Sequence, residues 1–90
     1  MKAVTVVVVN EIGIHARPAS LLVNLIKGYS CDIEVYKNGN EDNKHQPKSI
    51  LSLMALGAKK NDELTFIANG EDEDTAISAI EAFVKSGCGE

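Results

Sequence analysis

Aromatic and cationic side chains are both scarce in this chain of 90 residues, and their scarcity narrows the possible functions. There is no tryptophan, and only two tyrosines and two phenylalanines are present. Acidic residues outnumber lysine and arginine by 13 to 9, which gives a net charge of −4 at pH 7. Nucleic-acid binding depends on lysine and arginine to neutralise phosphates and, for single strands, on aromatic rings to stack against bases. We therefore expect no nucleic-acid partner.

Long apolar runs are absent too. No segment approaches the ~20 apolar residues that a membrane-spanning helix needs. The first residues, MKAVTVVVV, are apolar, but the chain turns polar at Asn10 and Glu11 and offers no small-residue cleavage site, so we predict a strand here rather than a signal peptide. These features predict a soluble, cytoplasmic protein without membrane insertion.

Cysteine is limited to Cys31 and Cys88, which lie far apart in the sequence and match no spacing typical of a zinc or redox site. Two reduced thiols in a cytosolic protein are the simpler interpretation. We expect no metal site, and nothing in the sequence indicates a cofactor.

Hydrophobic spacing predicts one domain over residues 1–90, with elements in the order β-α-β-β-α-β-α. A continuous β-branched run indicates a buried strand, period-2 alternation a half-exposed strand, and apolar residues three or four apart a helix. Asn38-Gly39 is a strong hairpin signal, and the polar stretch after it, which ends at Pro47, predicts a short returning strand at the sheet edge. The predicted elements are a buried strand over residues 3–9, half-exposed strands over 31–37 and 63–68, the short edge strand before Pro47, and helices over 16–27, over 49–56 and after Asp72. Four strands and three helices in so short a chain favour a two-layer α+β fold with the helices on one face of a single sheet.

The last predicted helix has its own start signal. Asp72 is placed to cap it, and Glu73 and Asp74 suit the positive end of the helix dipole. Its buried stripe is predicted to comprise Ala76, Ile77, Ile80, Phe83 and Val84.

The stretch IGIHARPAS places a histidine where a loop meets a helix. With His15 at the cap position, the helix begins with Ala16, Arg17 and Pro18, and the proline costs no hydrogen bond because the first N–H groups of a helix have no intrahelical partner. Those N–H groups and the helix dipole favour an anion, and Arg17 adds a permanent positive charge. Gly13 lets the loop approach closely and leaves the imidazole uncovered.

These residues suit the transfer of a phosphoryl group. A neutral imidazole nitrogen is a good nucleophile near pH 7, and phosphohistidine is labile enough to pass its group onward. In this interpretation His15 is the nucleophile, and Ala16, Arg17 and Pro18 form a cradle for the phosphate. A histidine near a helix start is more often a plain cap or a surface residue, and that alternative stays open on physical grounds. His45 lies in the polar edge segment and is interpreted as a solvated side chain.

Two separate motifs give the chain a resemblance to a known family. GIHARPAS and KSILSLMALG resemble the active-site and regulatory motifs of the histidine-containing phosphocarrier (HPr) family of the bacterial sugar phosphotransferase system, and NGEDEDTAISAIEAF also matches the family. The resemblance implies an open-faced β-sandwich, in which a four-stranded antiparallel sheet carries three helices on one side. It implies that His15 accepts a phosphoryl group on Nδ1 from Enzyme I and passes it to the IIA domains of sugar permeases, with Arg17 as the phosphate partner. The chain would then be a phosphoryl carrier and not an enzyme.

Ser49 opens the second predicted helix, where a serine is most often a simple cap. The matching serine of the family is phosphorylated by an ATP-dependent kinase, so the resemblance implies HPr kinase/phosphorylase and a transcription factor as further partners. The helix dipole tolerates a phosphate at that position. The stretch from Gly39 to Ser49 departs from the family pattern, because it is a few residues longer and EDNKHQP replaces the usual short strand.

The helix over residues 49–56 is too short to bury all of its apolar side chains, and an exposed apolar patch on a small protein indicates a partner surface. We predict that Leu51 and Met54 lie at the surface and dock partners. Lys27 and Lys48 are predicted to pair with acidic groups of those partners. The other apolar residues of the helix are expected in the core: Ile50, Leu53 and Leu56.

Two other functions compete with the carrier. A regulatory relative would act mainly by binding a transcription factor or an enzyme when Ser49 is phosphorylated, but some relatives of that kind lack the histidine that is present here as His15. A purely structural interaction domain would leave the co-occurrence of His15, Arg17 and Ser49 unexplained. Because only one modest apolar patch is predicted, we expect a monomer.

Overall fold

Strands and helices alternate along the chain in the computed structural model, which describes residues 1–90. The strands are β1 (Lys2–Val7), β2 (Asp32–Lys37) and β3 (Glu63–Asn69), and the helices are α1 (Ala16–Ile26), α2 (Ile50–Ala55) and α3 (Glu73–Lys85). β3 lies between the other two strands and pairs antiparallel with both, so the sheet order is β1-β3-β2. None of the helices combines the length and the apolar character needed to cross a membrane.

Each strand buries alternate side chains against the helices and leaves the other face of the sheet open. On the central strand, Leu64, Phe66 and Ala68 are fully buried, while Glu63 and Asn69 are exposed. α3 packs on β1 and β3, and α1 packs on α2 and α3. The buried apolar side chains form one continuous core of 21 residues. The open-faced α+β sandwich that the sequence predicts is confirmed.

The predicted fourth strand is not formed: where it was expected, the structure has a single β-bridge between Val35 and His45. The N–H of each residue donates to the carbonyl oxygen of the other, with N···O distances of 3.0 and 2.7 Å. Pairing does not extend from this bridge because Pro47 has no N–H to donate and residues 40–43 fold into a turn. The sheet is therefore three-stranded, and the element order is β-α-β-α-β-α.

His45 is also not the solvated side chain that the sequence suggested. It is half-buried, and its ring Nδ1 donates to the carbonyl oxygen of Ser52 at 2.9 Å. The ring thereby joins the bridge segment to α2. An isolated histidine in a polar stretch gives no local signal of such a contact.

β1 differs from the predicted buried strand over residues 3–9 in both length and burial. It spans Lys2–Val7, and its side chains alternate, so that Val6 is 2% exposed but Val7 is 43% exposed. The reason is that a sheet covered on one face buries only every second side chain, however apolar the strand is.

The start of α3 shows an unexpected use of a predicted cap. Asp72 holds the N-cap position, but its carboxylate makes no cap hydrogen bond. It accepts instead from the backbone N–H of Ser30 at 2.8 Å and of Cys31 at 2.9 Å, and so ties the start of β2 to the start of α3. The hydrogen bond from Ser30, followed by those from Cys31, holds the pKa of Asp72 below its ordinary value.

The helices otherwise follow the predicted pattern. α1 and α2 each begin and end within one residue of the predicted bounds. In α3 the predicted stripe is buried, except that Phe83 is only partly covered.

Candidate functional site

His15 occupies the N-cap of α1 in an extended backbone conformation, with φ −86° and ψ −166°, as the sequence predicts. Its carbonyl oxygen accepts a helical hydrogen bond from the N–H of Ala19 at 2.9 Å. The ring makes no cap hydrogen bond to the helix, and 37% of the side chain is exposed. The backbone thus holds the imidazole at the helix entrance, while the ring stays accessible.

The first residues of α1 are Ala16, Arg17 and Pro18, and they supply two free N–H groups because proline has none. Ala16 and Arg17 are exposed, whereas Pro18 is buried. The guanidinium of Arg17 forms no ion pair within the molecule, and no acidic residue lies in the first turn. The entrance of α1 therefore has a guanidinium that no carboxylate of the molecule pairs with, and it suits an anion.

The loop before His15 is braced against the segment that follows α2. The N–H of Ile14 donates to the carbonyl oxygen of Ala58 at 3.0 Å. Gly13 has a φ of +83°, and a Cβ there would overlap the carbonyl oxygen of Ala58 and lie 2.8 Å from the Cα of Lys59. Because only glycine fits both requirements, the backbone of this loop has one position against that segment.

Residues 86–90 return to the same site, and this contact was not predicted from the sequence. The side-chain amide of Asn10 donates to the carbonyl oxygen of Gly87 at 2.7 Å and to Oε1 of Glu90 at 3.0 Å. The other carboxylate oxygen of Glu90 lies 3.5 Å from Nε2 of His15. Asn10 and Glu90 are separated by 80 positions, so no local pattern could have revealed their contact. The glycines that flank Cys88 indicate a turn at most.

Ser49 caps α2, and its hydroxyl oxygen accepts from the N–H of Ser52 at 3.3 Å. The hydroxyl of Ser52 in turn accepts from the N–H of Gln46 at 2.9 Å, which ties the segment before the helix onto it. Ser49 is exposed. Its capping position is as predicted, and its phosphorylation stays a prediction.

The apolar side chains of α2 divide between surface and core. Leu51 is 79% exposed and Met54 41% exposed, where the sequence placed them. Leu53 and Leu56 are buried as expected, but Ile50 is 39% exposed, so its predicted place in the core is wrong. A helix of six residues contacts the core along one narrow stripe, and Ile50 lies outside that stripe. Whether these side chains dock a partner stays a prediction.

The two lysines that were predicted to meet partners have different surroundings. Lys27 is exposed at the C-cap of α1. Lys48 is partly buried, and its Nζ donates to the carbonyl oxygens of Tyr29 at 3.0 Å and Cys31 at 2.8 Å. Its ammonium group is therefore engaged by the loop between α1 and β2, and only Lys27 is free of such contacts.

Two further exposed apolar side chains lie close to His15 in the chain and were not singled out from the sequence. Ile12, in the loop, is 76% exposed, and Leu21, in α1, is 38% exposed.

Both cysteines are free and buried, away from solvent. Burial raises the pKa of Cys88 to about 11, and the charge of Glu90 adds to this. Burial likewise raises the pKa of Cys31. Thiols with raised pKa values are poor nucleophiles at neutral pH, which leaves His15 as the accessible nucleophile of this region. No group of three or more His, Cys, Asp or Glu side chains is arranged to hold a metal ion.

Comparison with known proteins gives one consistent result. The family model "PTS HPr component phosphorylation site" matches residues 2–86. The phosphocarrier protein HPr of Mycoplasma pneumoniae is 42% identical over 86 residues, which are 94% of each chain. The crystal structure of HPr-C-His from Thermoanaerobacter tengcongensis has a TM-score of 0.90 to this structure at 37% identity, and the match covers 100% of this chain and 98% of that one.

A longer relative matches over the same region. The multiphosphoryl transfer protein of Haemophilus influenzae is 39% identical over 84 residues, which are 93% of this chain but 17% of that protein. The chain therefore spans less than a fifth of the length of that relative.

Proposed function

Because the chain belongs to the HPr family of phosphocarrier proteins of the phosphotransferase system, we propose that it carries phosphoryl groups on His15. It accepts the group from Enzyme I, which phosphoenolpyruvate has charged, and passes it to the IIA domains of sugar permeases in the cytoplasm. The accessible imidazole beside free N–H groups and an unpaired guanidinium is the observation that supports this proposal most. The chain acts as a substrate of its partners and not as an enzyme.

The chemistry proposed for His15 is a reversible exchange of one bond for another. The lone pair of Nδ1 attacks the phosphorus, the bond between phosphorus and the donor atom breaks, and its electron pair leaves with the donor. The N–H groups of Ala16 and Arg17 and the guanidinium of Arg17 face the phosphoryl oxygens and offset their charge. Onward transfer runs the same exchange in reverse, and the acceptor's nucleophile takes the phosphorus.

The apolar side chains of α2 are proposed as the docking surface for these partners. α1 and α2 pack against each other, and Ala58, just after α2, holds the loop that presents His15. Leu51, Met54 and Ile50 therefore share a region of the surface with the helix entrance. Lys27 is the cation available to pair with acidic partner groups.

Regulation is proposed to act through Ser49. A phosphate added there by HPr kinase/phosphorylase would place negative charge beside Ile50 and Leu51, and this would oppose an acidic partner. The phosphorylated form would be the one that a transcription factor recognises. The monomeric state expected from the sequence stays a prediction.

Phosphoryl transfer to His15 is the test of the carrier proposal. Incubated with Enzyme I and phosphoenolpyruvate, the protein should acquire one phosphate at His15, detected by mass spectrometry under mildly alkaline conditions in which phosphohistidine survives. His15→Ala should abolish labelling and change the free energy of unfolding by less than about 1 kcal/mol, because the ring is accessible and makes no cap hydrogen bond.

The second histidine supplies a matched control, since His45→Gln should keep full labelling. Phosphoserine at Ser49 survives acid treatment whereas phosphohistidine does not, so a second spectrum taken after acid treatment tells the two apart. Labelling of the His15→Ala protein would contradict the assigned site. A folded wild-type protein that stays unlabelled beside an active control carrier would contradict the function.

A further inference from the structure

Residues 86–90 form a hydrogen-bonded turn that brings Glu90 to the site. Gly87, Cys88 and Gly89 all have positive φ, at +92°, +54° and +83°. A non-glycine residue adopts this conformation only when its surroundings impose it, and the Cys88 side chain is fully buried. The N–H of Cys88 donates to the carbonyl oxygen of Phe83 at 2.9 Å, and the N–H of Glu90 donates to that of Gly87 at 3.1 Å. The position of Glu90 is therefore set by the backbone of this turn.

Asn10 locks this turn to the loop that presents His15. Its side chain is 7% exposed, and its amide N–H groups reach both Gly87 and Glu90. Its backbone carbonyl oxygen accepts from the N–H of Gly13 at 3.0 Å, within the histidine loop. One residue thus fixes the carboxylate and the loop relative to each other.

The carboxylate of Glu90 lies on one particular side of the imidazole. Oε1 is held by Asn10, and Oε2 lies 3.5 Å from Nε2 of His15, with no ion pair at Nδ1. We propose that Glu90 directs phosphorylation to Nδ1 of His15, because its negative charge lies on the Nε2 side of the ring and favours a proton there. This inference rests on the proposed function and makes Glu90 a positioning residue for it.

The proton on Nε2 decides which nitrogen can react. A neutral imidazole has one N–H and one lone pair, and a carboxylate accepts a hydrogen bond but cannot donate one. With the proton on Nε2, the lone pair is on Nδ1, and the negative charge of Glu90 also repels an anionic phosphoryl donor from Nε2. The N–P bond then forms at Nδ1 while the bond to the donor breaks, and no proton moves. The positive charge left on the ring is offset by Glu90.

The same proton assists release. When the phosphoryl group leaves with the acceptor, the bonding electrons return to Nδ1. Because Nε2 has kept its proton, the ring departs as neutral imidazole and not as an anion. Glu90 therefore serves both directions of transfer without touching the phosphoryl group.

Glu90→Gln is the sharpest variant for a test. The glutamine Oε1 can still accept from Asn10, which preserves the turn, but its NH₂ group then faces Nε2 and donates to it. Nε2 must accept this hydrogen bond with its lone pair, so the proton of the neutral ring lies on Nδ1. Phosphoramidate, a small N-phosphorylating donor, is used on the full ¹⁵N-labelled chain, and ³¹P–¹⁵N NMR identifies the phosphorylated nitrogen and the rate.

The wild-type protein should carry phosphate on Nδ1. Glu90→Gln and Glu90→Ala should lose about three- to tenfold in the rate at Nδ1, an effect of the size of one accessible charged contact, and should acquire label on Nε2. Glu71→Gln removes the same charge before α3, a helix of 13 residues and thus about 20 Å long, whose other end precedes residues 86–90. This control should keep the rate and the nitrogen of the wild type.

Two results would overturn the role of Glu90. One is exclusive Nδ1 labelling at the wild-type rate in both Glu90 variants, when their spectra show the wild-type fold. The other is wild-type labelling on Nε2. Neither result depends on Enzyme I. If the protein accepts phosphate from phosphoramidate but not from Enzyme I, the proposed function is contradicted. The same spectra would still decide the role of Glu90.

Discussion

Gly13 shows how one residue fixes the position of an imidazole two positions later. Its positive φ turns the loop, and its missing side chain lets the loop lie directly on the backbone of Ala58 and Lys59. The hydrogen bond from Ile14 to Ala58 forms at this contact. His15 therefore meets the helix entrance from a braced loop.

A Cβ at residue 13 should destabilise the protein and slow phosphorylation together. Gly13→Ala should lower the free energy of unfolding by about 2–4 kcal/mol, because the positive φ is strained and the atoms in the way are backbone atoms that cannot rotate aside. Urea unfolding measures this loss, and labelling by Enzyme I measures the displaced histidine. Gly39→Ala is the matched control, since Gly39 has a φ of +75° but a Cβ there meets nothing within 4 Å. Equal losses in the two variants would contradict the steric account.

The sequence predicts the residues of the helix entrance and misses the residues that support them. The positions of His15, Arg17 and Pro18 follow from capping, which depends on a few neighbouring residues. The positions of Asn10 and Glu90 depend on a turn at the other end of the chain that folds back onto the loop. Such long-range contacts leave no periodic pattern in the sequence.

α2 presents an apolar surface because the helix is short. With six residues it has few positions that can face the core, and Leu53 takes the central one at 1% exposure. The remaining apolar side chains stay in solvent, where they contribute little to folding. An exposed apolar patch of this kind is typical of an interaction site.

Leu51→Ser should weaken docking and leave folding unchanged. We expect the KM for phosphorylation by Enzyme I to rise about three- to tenfold with little change in kcat, because one apolar side chain is lost from a contact made before the transfer. The free energy of unfolding should stay within about 0.5 kcal/mol of the wild type, since the side chain is 79% exposed. Val7→Ser on β1, also an exposed apolar residue, is the control and should leave KM unchanged. A KM that stays at the wild-type value in Leu51→Ser would remove this residue from the docking surface.

The elements whose formation depends on their own sequence were predicted correctly. The element whose formation depends on pairing with another segment was not. The three helices follow from apolar spacing and caps, both local. The fourth strand was expected from Asn38-Gly39, a valid turn signal, but a strand also needs a row of backbone partners. Pro47 and the turn over residues 40–43 remove that row, and only the pair of Val35 and His45 is left.

At the scale of the whole molecule, carboxylates connect parts that are distant in sequence. Asp72 joins β2 to α3, and Asp62 accepts from the N–H of Lys59 and the side chain of Asn38. The pKa values of both are lowered, chiefly by backbone hydrogen bonds. The pKa of Glu73 is lowered by the N-terminal ammonium and that of Glu11 by Lys60.

These shifts predict lower stability in acid. A carboxyl group with a lowered pKa in the folded state contributes stability above its ordinary value, near 4, and this contribution is lost as the pH falls through the folded-state pKa. The urea concentration at the unfolding midpoint should therefore decrease once the pH is lowered below about 4. Asp72→Asn should lower the midpoint at pH 7 and flatten its fall in acid, because the amide cannot gain or lose the charge. Asp42→Asn, in the exposed turn, is the control. A pH profile of Asp72→Asn that parallels the wild type would contradict this assignment.

The single bridge between Val35 and His45 also has a consequence for the hydrogen exchange of the backbone amides at this edge. The N–H groups of the even-numbered residues of β2 face β3, so those of Ile33, Val35 and Lys37 face the outer edge, where only that of Val35 finds a partner. In deuterated water the Val35 amide should exchange more slowly than the amides of Ile33 and Lys37, which have no partner at this edge. The degree to which its exchange is slowed measures the free energy of lifting the polar loop from the sheet, so this one amide reports the opening of the edge.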